Sequence, residues 1–314
     1  NPLTFCWEQM DNQLIPHPPA TTATEGPVFR SFTPVASPTR YFPRLPVILD
    51  NTLPSTWEVL PAVARTMNFR ATVRDNLPNG GCTDEDDMVV TVSANAGPFR
   101  ITGIGPDDDC LFADASTTIT WDVANTTAAP VNCANVDIWL STDGGQNFST
   151  LLADNVPNSG SASVNVPATA ITQTGRIMVI CSDNIFLNVN QKDIRIDCPA
   201  NITVTDNPAA GTYQARQRVV TSGNVVVLPA TTARFFAGED IVMTDGFWAR
   251  QGSDFIARIQ TCNHCAGSKP ESVAAEKENK PKVNFYEDPA DARSMSGTDG
   301  SGMSVESSDC HRDS

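Results

Sequence analysis

Residues 68–92 read NFRATVRDNLPNGGCTDEDDMVVTV, and this stretch decides how the rest of the chain is interpreted. From position 69 to position 73, apolar and polar side chains alternate, which is the period of a half-buried strand. Residues 75–81 supply Asp, Asn, Pro and two Gly, the residue types that form tight turns. The alternation then resumes from Met88 to Val92. The stretch therefore predicts a strand, a turn and a returning strand.

Cys82 stands at the end of this turn, and Cys6 lies beside Trp7 in an early segment that also alternates like a strand. A Cys-Trp strand tied to a Cys on a late strand is how an immunoglobulin-like sandwich is pinned. We therefore predict a Cys6–Cys82 disulfide and an immunoglobulin-like sandwich over residues 1–96. The aromatic residues and prolines of residues 27–49 predict an extended segment wrapped over the core of this unit.

Composition narrows the class of protein. The 314-residue chain is 40% hydrophobic but only 18% charged, and Thr, Asn, Ser, Pro and Gly are abundant, which favours short strands joined by turns. The formal net charge of -15 argues against binding to nucleic acid or to an anionic membrane surface. Nine cysteines indicate an oxidising compartment, and there is no apolar run long enough for a membrane span. We expect a fragment of a longer precursor that is secreted or displayed at the cell surface.

Residues 97–197 predict a second sandwich, of the immunoglobulin or fibronectin type III kind. Ile119 and Trp121 share one face of a strand, and Val136, Ile138 and Leu140 repeat the pattern. Turn residues follow every 10 to 15 positions or so.

Residues 141–148, STDGGQNF, match the Asp-box pattern S-x-D-x-G-x-x-[WF]. In such a motif the Asp closes a hairpin turn onto backbone amides, while the aromatic residue packs below. One copy is a folding device and does not identify a sialidase. We assign a structural turn to four residues: Ser141, Asp143, Gly145 and Phe148.

Residues 198–262 predict a small third unit. The run FFAGEDIVMTDGFWARQGSDFIARIQTC spaces Gly turns and short apolar segments in a way that suits three stacked rungs. Cys198 and Cys262 bracket the run and are predicted to pair. Residues 263–314 are predicted to be a charged linker and a disordered low-complexity tail.

The other cysteines leave alternatives open. Cys110 and Cys133 flank the strand of Trp121, so their pairing is the first hypothesis, and the partners of Cys181, Cys265 and Cys310 are left unassigned. Cys262, His264 and Cys265 could hold zinc, but two further ligands are missing, which favours a disulfide end with a spare thiol.

Two acidic clusters raise the possibility of calcium, which binds six to eight oxygen atoms from carboxylates and loop carbonyls. The candidate ligands in the first are Asp75, Asp84, Asp86 and Asp87. The second cluster is residues 107–109. The alternative is that both are solvated acidic loops, because neither has the regular spacing of a calcium loop.

Several long segments resemble a known family. LTFCWEQMD (3–11), GPVFRSFTPVASPTRYFPRL (26–45), TWEVLPAVARTMNFRATVRDN (56–76) and GGCTDEDDMVVTV (80–92) are similar to the region that follows the catalytic domain in secreted reprolysin-like zinc metalloproteases of Bacteroidetes-type bacteria. GPFRIT (97–102) and residues 118–167 continue the resemblance. It implies an ectodomain that accompanies a protease on the same precursor.

Two more segments fit this origin. Residues 198–262 look like the short three-rung stack near the C-termini of many secreted Bacteroidetes proteins. NFYEDPADA (284–292) resembles the opening of the sorting domain that type IX secretion recognises, although Glu287-Asp288 replaces the usual Pro-Asn.

The residues do not predict a protease in this chain itself. A reprolysin-type centre needs H-E-x-x-H, two His one helical turn apart. The three His, at 17, 264 and 311, have no such spacing. The leading hypothesis is therefore a non-catalytic accessory region that displays, spaces or stabilises the catalytic domain, or that holds a substrate or surface partner. The alternative is a surface adhesin or carbohydrate-binding module with an exposed aromatic platform near Trp139 or Trp248, both of which are expected to face outward.

Overall fold

The structure is a computed structural model that describes residues 2–51, 55–78, 81–105, 110–262 and 265. Their regular secondary structure consists of strands, apart from the one-and-a-half-turn helix α1 (Leu45–Leu49). The strands are β1 (Thr4–Gln9), β2 (Arg65–Arg74), β3 (Thr83–Val92), β4 (Arg100–Ile104), β5 (Cys110–Phe112), β6 (Ala115–Asp122), β7 (Asn135–Ser141), β8 (Thr150–Pro157), β9 (Ser161–Val166), β10 (Thr172–Cys181), β11 (Leu187–Val189), β12 (Ile194–Asp197), β13 (Asn201–Val204), β14 (Gly211–Ala215), β15 (Arg218–Thr221), β16 (Val225–Val227), β17 (Thr232–Ala237), β18 (Asp240–Val242), β19 (Phe247–Ala249) and β20 (Asp254–Ile259).

The predicted all-β class is confirmed. Backbone contacts divide the chain into two compact units, each assembled from several segments. The first unit comprises residues 1–104, 118–162 and 175–193, and the second comprises residues 105–117, 163–174 and 194–314. The predicted boundaries after residues 96 and 197 stay predictions, as does the assignment to the immunoglobulin or fibronectin type.

The predicted hairpin is present in the first unit as β2 and β3, two antiparallel strands that pair from Arg65 opposite Val92 to Arg74 opposite Thr83. β1 pairs with the other edge of β2, which gives the order β1-β2-β3. Met88, Val90 and Val92 share one face, as the alternation predicts, because successive strand residues point to opposite sides.

The apolar face of this sheet is covered by the extended segment that precedes β2. Val28, Phe29 and Val59 from that segment are buried together with Met67 and Phe69 of β2. The predicted wrapping is therefore confirmed. Two isolated bridges involve this segment: Val35 pairs with Phe5 of β1, and Phe29 pairs with Glu58 within the segment itself.

The rest of the first unit contains a second antiparallel group, in which β7 lies between β10 and β8 and β11 pairs with β10. β4 pairs with β6, with Ile101 opposite Trp121. Ile119 and Trp121 are buried while Asp122 is exposed, so the predicted faces are confirmed. The indole N–H of Trp121 donates to the Asn158 side-chain oxygen at 2.8 Å, which satisfies the buried donor.

The second unit contains the stack, in which β13-β15-β18, β14-β17-β20 and β16-β19 form three parallel sheets. Arg218 pairs with Asp240, Val225 with Phe247 and Thr232 with Asp254, a constant offset of 22 residues. The second and third rungs thus each add a strand to all three faces, and the predicted β-stack is confirmed. Such in-register stacking needs a repeating spacing of turns and apolar residues, which the Gly-punctuated sequence supplies.

Phe235 lies at the centre of the stack and is fully buried. Its ring centre lies 5.3 Å from that of Tyr213, 5.1 Å from that of Phe255 and 6.3 Å from that of Phe247. Rungs approach closely at Gly238, where a Cβ atom would lie 2.0 Å from the Arg216 carbonyl oxygen of the preceding rung. The stack therefore depends on an aromatic cluster in its core and on the absence of a side chain at Gly238, where two rungs meet.

Candidate functional site

Three disulfides cross-link the described residues: Cys110–Cys265, Cys133–Cys181 and Cys198–Cys262. The predicted Cys198–Cys262 bond is confirmed. Disulfides of this density indicate an oxidising environment. No helix in the described part of the chain combines the length and apolar character that a bilayer crossing requires.

The predicted Cys6–Cys82 disulfide is wrong, because both thiols are free. Cys6 lies on β1, and Cys82 directly precedes β3, on the far side of β2. Two strand spacings amount to about 10 Å, whereas bridged cysteines have Cα atoms less than about 7 Å apart. The bond that suggested an immunoglobulin-like sandwich for this segment is therefore absent.

The predicted Cys110–Cys133 disulfide is also wrong. Cys133 precedes β7 by two residues, and the other cysteine of its bond, Cys181, pairs in the sheet with Val136 of β7. Cys110 lies on β5, where it is opposite Arg195 of β12, and its partner is Cys265. The position of Cys110 and Cys133 on either side of β6 in sequence does not bring them together. Cys133 bonds instead to Cys181 on β10, the strand that pairs with β7.

The four carboxylates of the predicted calcium site are not brought together by the structure. Asp87 faces Arg70 on the outer side of the hairpin and forms two hydrogen bonds to its guanidinium at 2.7 and 2.8 Å. Asp84 and Asp86 alternate with Asp87 and so lie on the other face of β3. Asp75 accepts hydrogen bonds from the backbone of Leu77 and Cys82, which closes the turn. A single ion bound by all four side chains does not fit this geometry.

The Arg70 guanidinium holds the pKa of the Asp87 carboxyl below its usual range, mainly through their hydrogen bond. Asp87 is thus engaged as an ion-pair partner in the exposed face of the sheet. The second acidic cluster, residues 107–109, lies outside the described residues. So do His264, Cys310, the proposed sorting turn and the predicted disordered tail, with the exception of Cys265.

The only group of three potential metal ligands close together in the described residues is Asp197, Cys198 and Cys262. Both of its sulfur atoms are already joined to each other. A disulfide sulfur is not the thiolate that binds a metal. This group therefore does not make a metal site.

The Asp-box turn forms as predicted. The Asp143 carboxylate accepts hydrogen bonds from the Ser141 hydroxyl at 2.6 Å and from the backbone N–H of Asn147 at 2.9 Å. These bonds, led by that of Ser141, lower the pKa of Asp143 to about 2. The N–H of Gly145 donates to the Ser141 oxygen at 2.9 Å, and Phe148 is half-buried. The role of the motif in this chain is to close a turn.

Sequence reasoning missed a cluster of arginines on the wrapped segment. The guanidinium groups of Arg30, Arg40 and Arg44 all lie within 4.0–5.3 Å of the Phe32 ring centre. The buried Glu58 carboxylate forms ion pairs with Arg40 at 3.0 Å and with Arg44 at 3.4 Å. The interleaving of Arg with aromatic residues in 29–44 was the available signal. The stacking and ion pairs hold distant parts of this segment together, and Arg40 also donates to the carbonyl oxygen of Trp7 on β1, which joins the cluster to the sheet.

A shallow pocket beside this cluster contains the free thiol of Cys6, which donates to the carbonyl oxygen of Phe32 at 3.4 Å. Burial raises the pKa of this thiol, and the nearby Glu8 carboxylate raises it further. The thiol therefore stays protonated at neutral pH, and the reactive thiolate form is disfavoured.

The two tryptophans proposed as binding platforms differ in their exposure to solvent. Trp139 stands between Met178 of β10 and Leu151 of β8 and is half-buried, so it does not offer a free face. Trp248 on β19 is 65% exposed. It lines a shallow depression with Pro229, Arg250 and Gln251.

Comparison of the chain with models of protein families, with curated proteins and with solved structures gave no match.

Proposed function

We propose that the chain is a non-catalytic accessory region of a secreted metalloprotease-like protein. Its role is to space or stabilise a catalytic domain of the same precursor and to hold a protein or glycan at the cell surface. The family origin rests on the sequence resemblance of residues 3–167. The accessory role rests on the described architecture.

The observation that supports a spacing role is the parallel stack together with the Cys198–Cys262 disulfide, which joins its two ends. Every rung pairs in register with the next, and Cys198–Cys262 joins a residue just before the first rung to a residue just after the last. Closing a loop of this length restricts the unfolded chain by roughly 4 kcal/mol in the chain-entropy model. Ion pairs such as Arg218–Asp240 link adjacent rungs on the outside. A unit built this way keeps its length and direction, which is what a spacer needs.

The test compares the full precursor with a precursor in which residues 198–262 are replaced by a flexible Gly-Ser linker. An accessory spacer predicts that hydrolysis of a short peptide by each active molecule is unchanged. It also predicts that hydrolysis of a large substrate, or survival of activity during storage, falls several-fold. Equal performance of both precursors in all three assays would exclude the spacing and stabilising role.

The non-catalytic assignment has its own measurement. The purified chain, with and without added zinc, is incubated with casein and gelatin. We expect no hydrolysis. Hydrolysis that a substitution within the described residues abolishes would make this chain the enzyme and overturn the proposal.

A further inference from the structure

The outward direction of Trp248 follows from its neighbours on β19. Phe247 turns into the stack, where its ring centre lies 5.0 Å from that of Phe255. Successive strand residues point to opposite sides, so Trp248 must point outward. Its partner in the adjacent rung is Val226, which is too small to cover the indole. The indole is therefore presented to solvent on the outer side of the parallel pair β16 and β19.

Polar groups border this ring. Arg250 and Gln251 line the same depression, both are exposed, and neither side chain has a hydrogen-bond or ion-pair partner among the described residues. Arg250 carries five N–H donors, and Gln251 carries both a donor and an acceptor. Pro229 provides a second rigid apolar surface beside the indole. The depression thus combines a flat apolar floor with unused hydrogen-bonding groups at its rim, which is the composition of a ligand site.

An exposed indole bordered by hydrogen-bonding side chains favours a sugar as the ligand. A β-linked pyranose presents a flat face of C–H groups, which packs against an aromatic ring, and equatorial hydroxyls at its edge, which need donors and acceptors. The depression is lined by four residues, so it is matched to one or two sugar rings. Stable protein–protein interfaces need about 800 Å² on each partner with an apolar core. On this face the large exposed apolar side chains are Trp248 and Leu228.

Charge decides which class of glycan is favoured. The chain carries a formal net charge of -15, and Arg250 is the single cation in the depression. Polyanions such as sulfated or uronic acid chains are repelled by this overall field. A neutral polymer is not repelled in this way.

We infer that the face of the stack around Trp248 binds a neutral β-linked polysaccharide, with the sugar stacked on the indole and hydrogen-bonded by Arg250 and Gln251. This deepens the surface-holding part of the proposed function and does not depend on the link to a protease.

The test uses the full chain with cellohexaose and N-acetylchitohexaose as probes, measured by calorimetry and by tryptophan fluorescence. We expect millimolar or tighter binding to at least one probe and at least a tenfold loss in Trp248→Ala. The matched control is Trp57→Ala, since Trp57 is 53% exposed in the other unit. Its affinity should equal that of the unchanged chain. Arg250→Ala should weaken binding by a smaller factor. Thermal melts check that each variant remains folded.

Absence of binding to both probes would overturn the inference, and so would equal losses in the Trp248 and Trp57 variants. Stronger binding to heparin than to either neutral probe would also overturn it, because it would reverse the predicted charge preference. These results leave the precursor assays of the spacer role untouched, so the two proposals fail separately.

Discussion

Two adjacent glycines in the Asp-box turn offer a matched pair of substitutions. Gly144 and Gly145 both have positive φ, +79° and +86°. Alanine at either position therefore meets the same backbone cost. Their surroundings differ, because a Cβ atom at Gly144 has no neighbour within 4 Å, whereas one at Gly145 would lie 2.4 Å from a terminal carbon of Leu49 in α1.

The expected magnitudes follow from these distances. The left-handed conformation costs an alanine about 1–2 kcal/mol, so Gly144→Ala should lower the free energy of unfolding by about that amount. At Gly145 the same cost applies, and Leu49 must also retreat by about 1 Å to restore ordinary van der Waals separation. Overpacking of this kind adds about 1–3 kcal/mol. We therefore expect Gly145→Ala to cost about 2–5 kcal/mol in total.

The assay is urea unfolding followed by tryptophan fluorescence. Leu49→Ala serves as the control background, because it removes the atoms that the new Cβ would meet. In that background the two alanine substitutions should become equal to within about 0.5 kcal/mol. Equal effects of Gly144→Ala and Gly145→Ala in the unchanged chain would refute the contact between the turn and α1.

Four further substitutions test the core, the surface and the turn. Phe235→Ala should lower the free energy of unfolding by about 3–5 kcal/mol, because it empties the centre of the stack; Trp248→Ala, at the surface, should change it by less than about 0.5 kcal/mol. Asn158→Ala should cost about 1–3 kcal/mol, since the buried indole N–H of Trp121 loses its acceptor, and a shift of Trp121 fluorescence should accompany it. Asp143 has a lowered pKa, so its contribution to stability is complete above about pH 5 and is lost as the pH falls towards 2. The difference in unfolding midpoint between Asp143→Ala and the unchanged chain should therefore shrink between about pH 5 and pH 2.5, and a constant difference would contradict this account.

The features predicted correctly from sequence are those that local periodicity determines. The β2–β3 hairpin follows from a two-residue alternation around a turn rich in Gly, Asn and Asp. The stack follows from regularly spaced Gly and apolar residues after position 234. In both cases the residues that contact one another are separated by a short or constant number of positions. The Asp-box turn belongs to the same group, because all its hydrogen bonds lie within seven residues.

The failures all concern the order of strands in space. Cys6 and Cys82 both flank plausible strands, which favours their pairing, but β2 lies between those two strands in the sheet. Asp84, Asp86 and Asp87 are close in sequence, but a strand sends alternate side chains to opposite faces, so Asp87 lies on the opposite face from Asp84 and Asp86. Trp139 was expected to face outward, but whether an outward side chain is free depends on its neighbours across the sheet, Met178 and Leu151. The alternation of apolar and polar residues predicts which face of the sheet a residue lies on. It does not predict which residues lie beside it on the neighbouring strands.

The bracket formed by Cys198 and Cys262 also has a mechanical consequence. Tension applied to the backbone outside Cys110 and Cys265 passes through the bond between them, and Cys198–Cys262 encloses the rungs a second time, so the rungs carry none of the load. Parallel rungs would otherwise peel away one at a time from a free end, since each is held to the next by ladders of hydrogen bonds and by side-chain packing. A pulling experiment on the oxidised chain should therefore show no extension from residues 199–261, and those residues should lengthen the chain only after reduction.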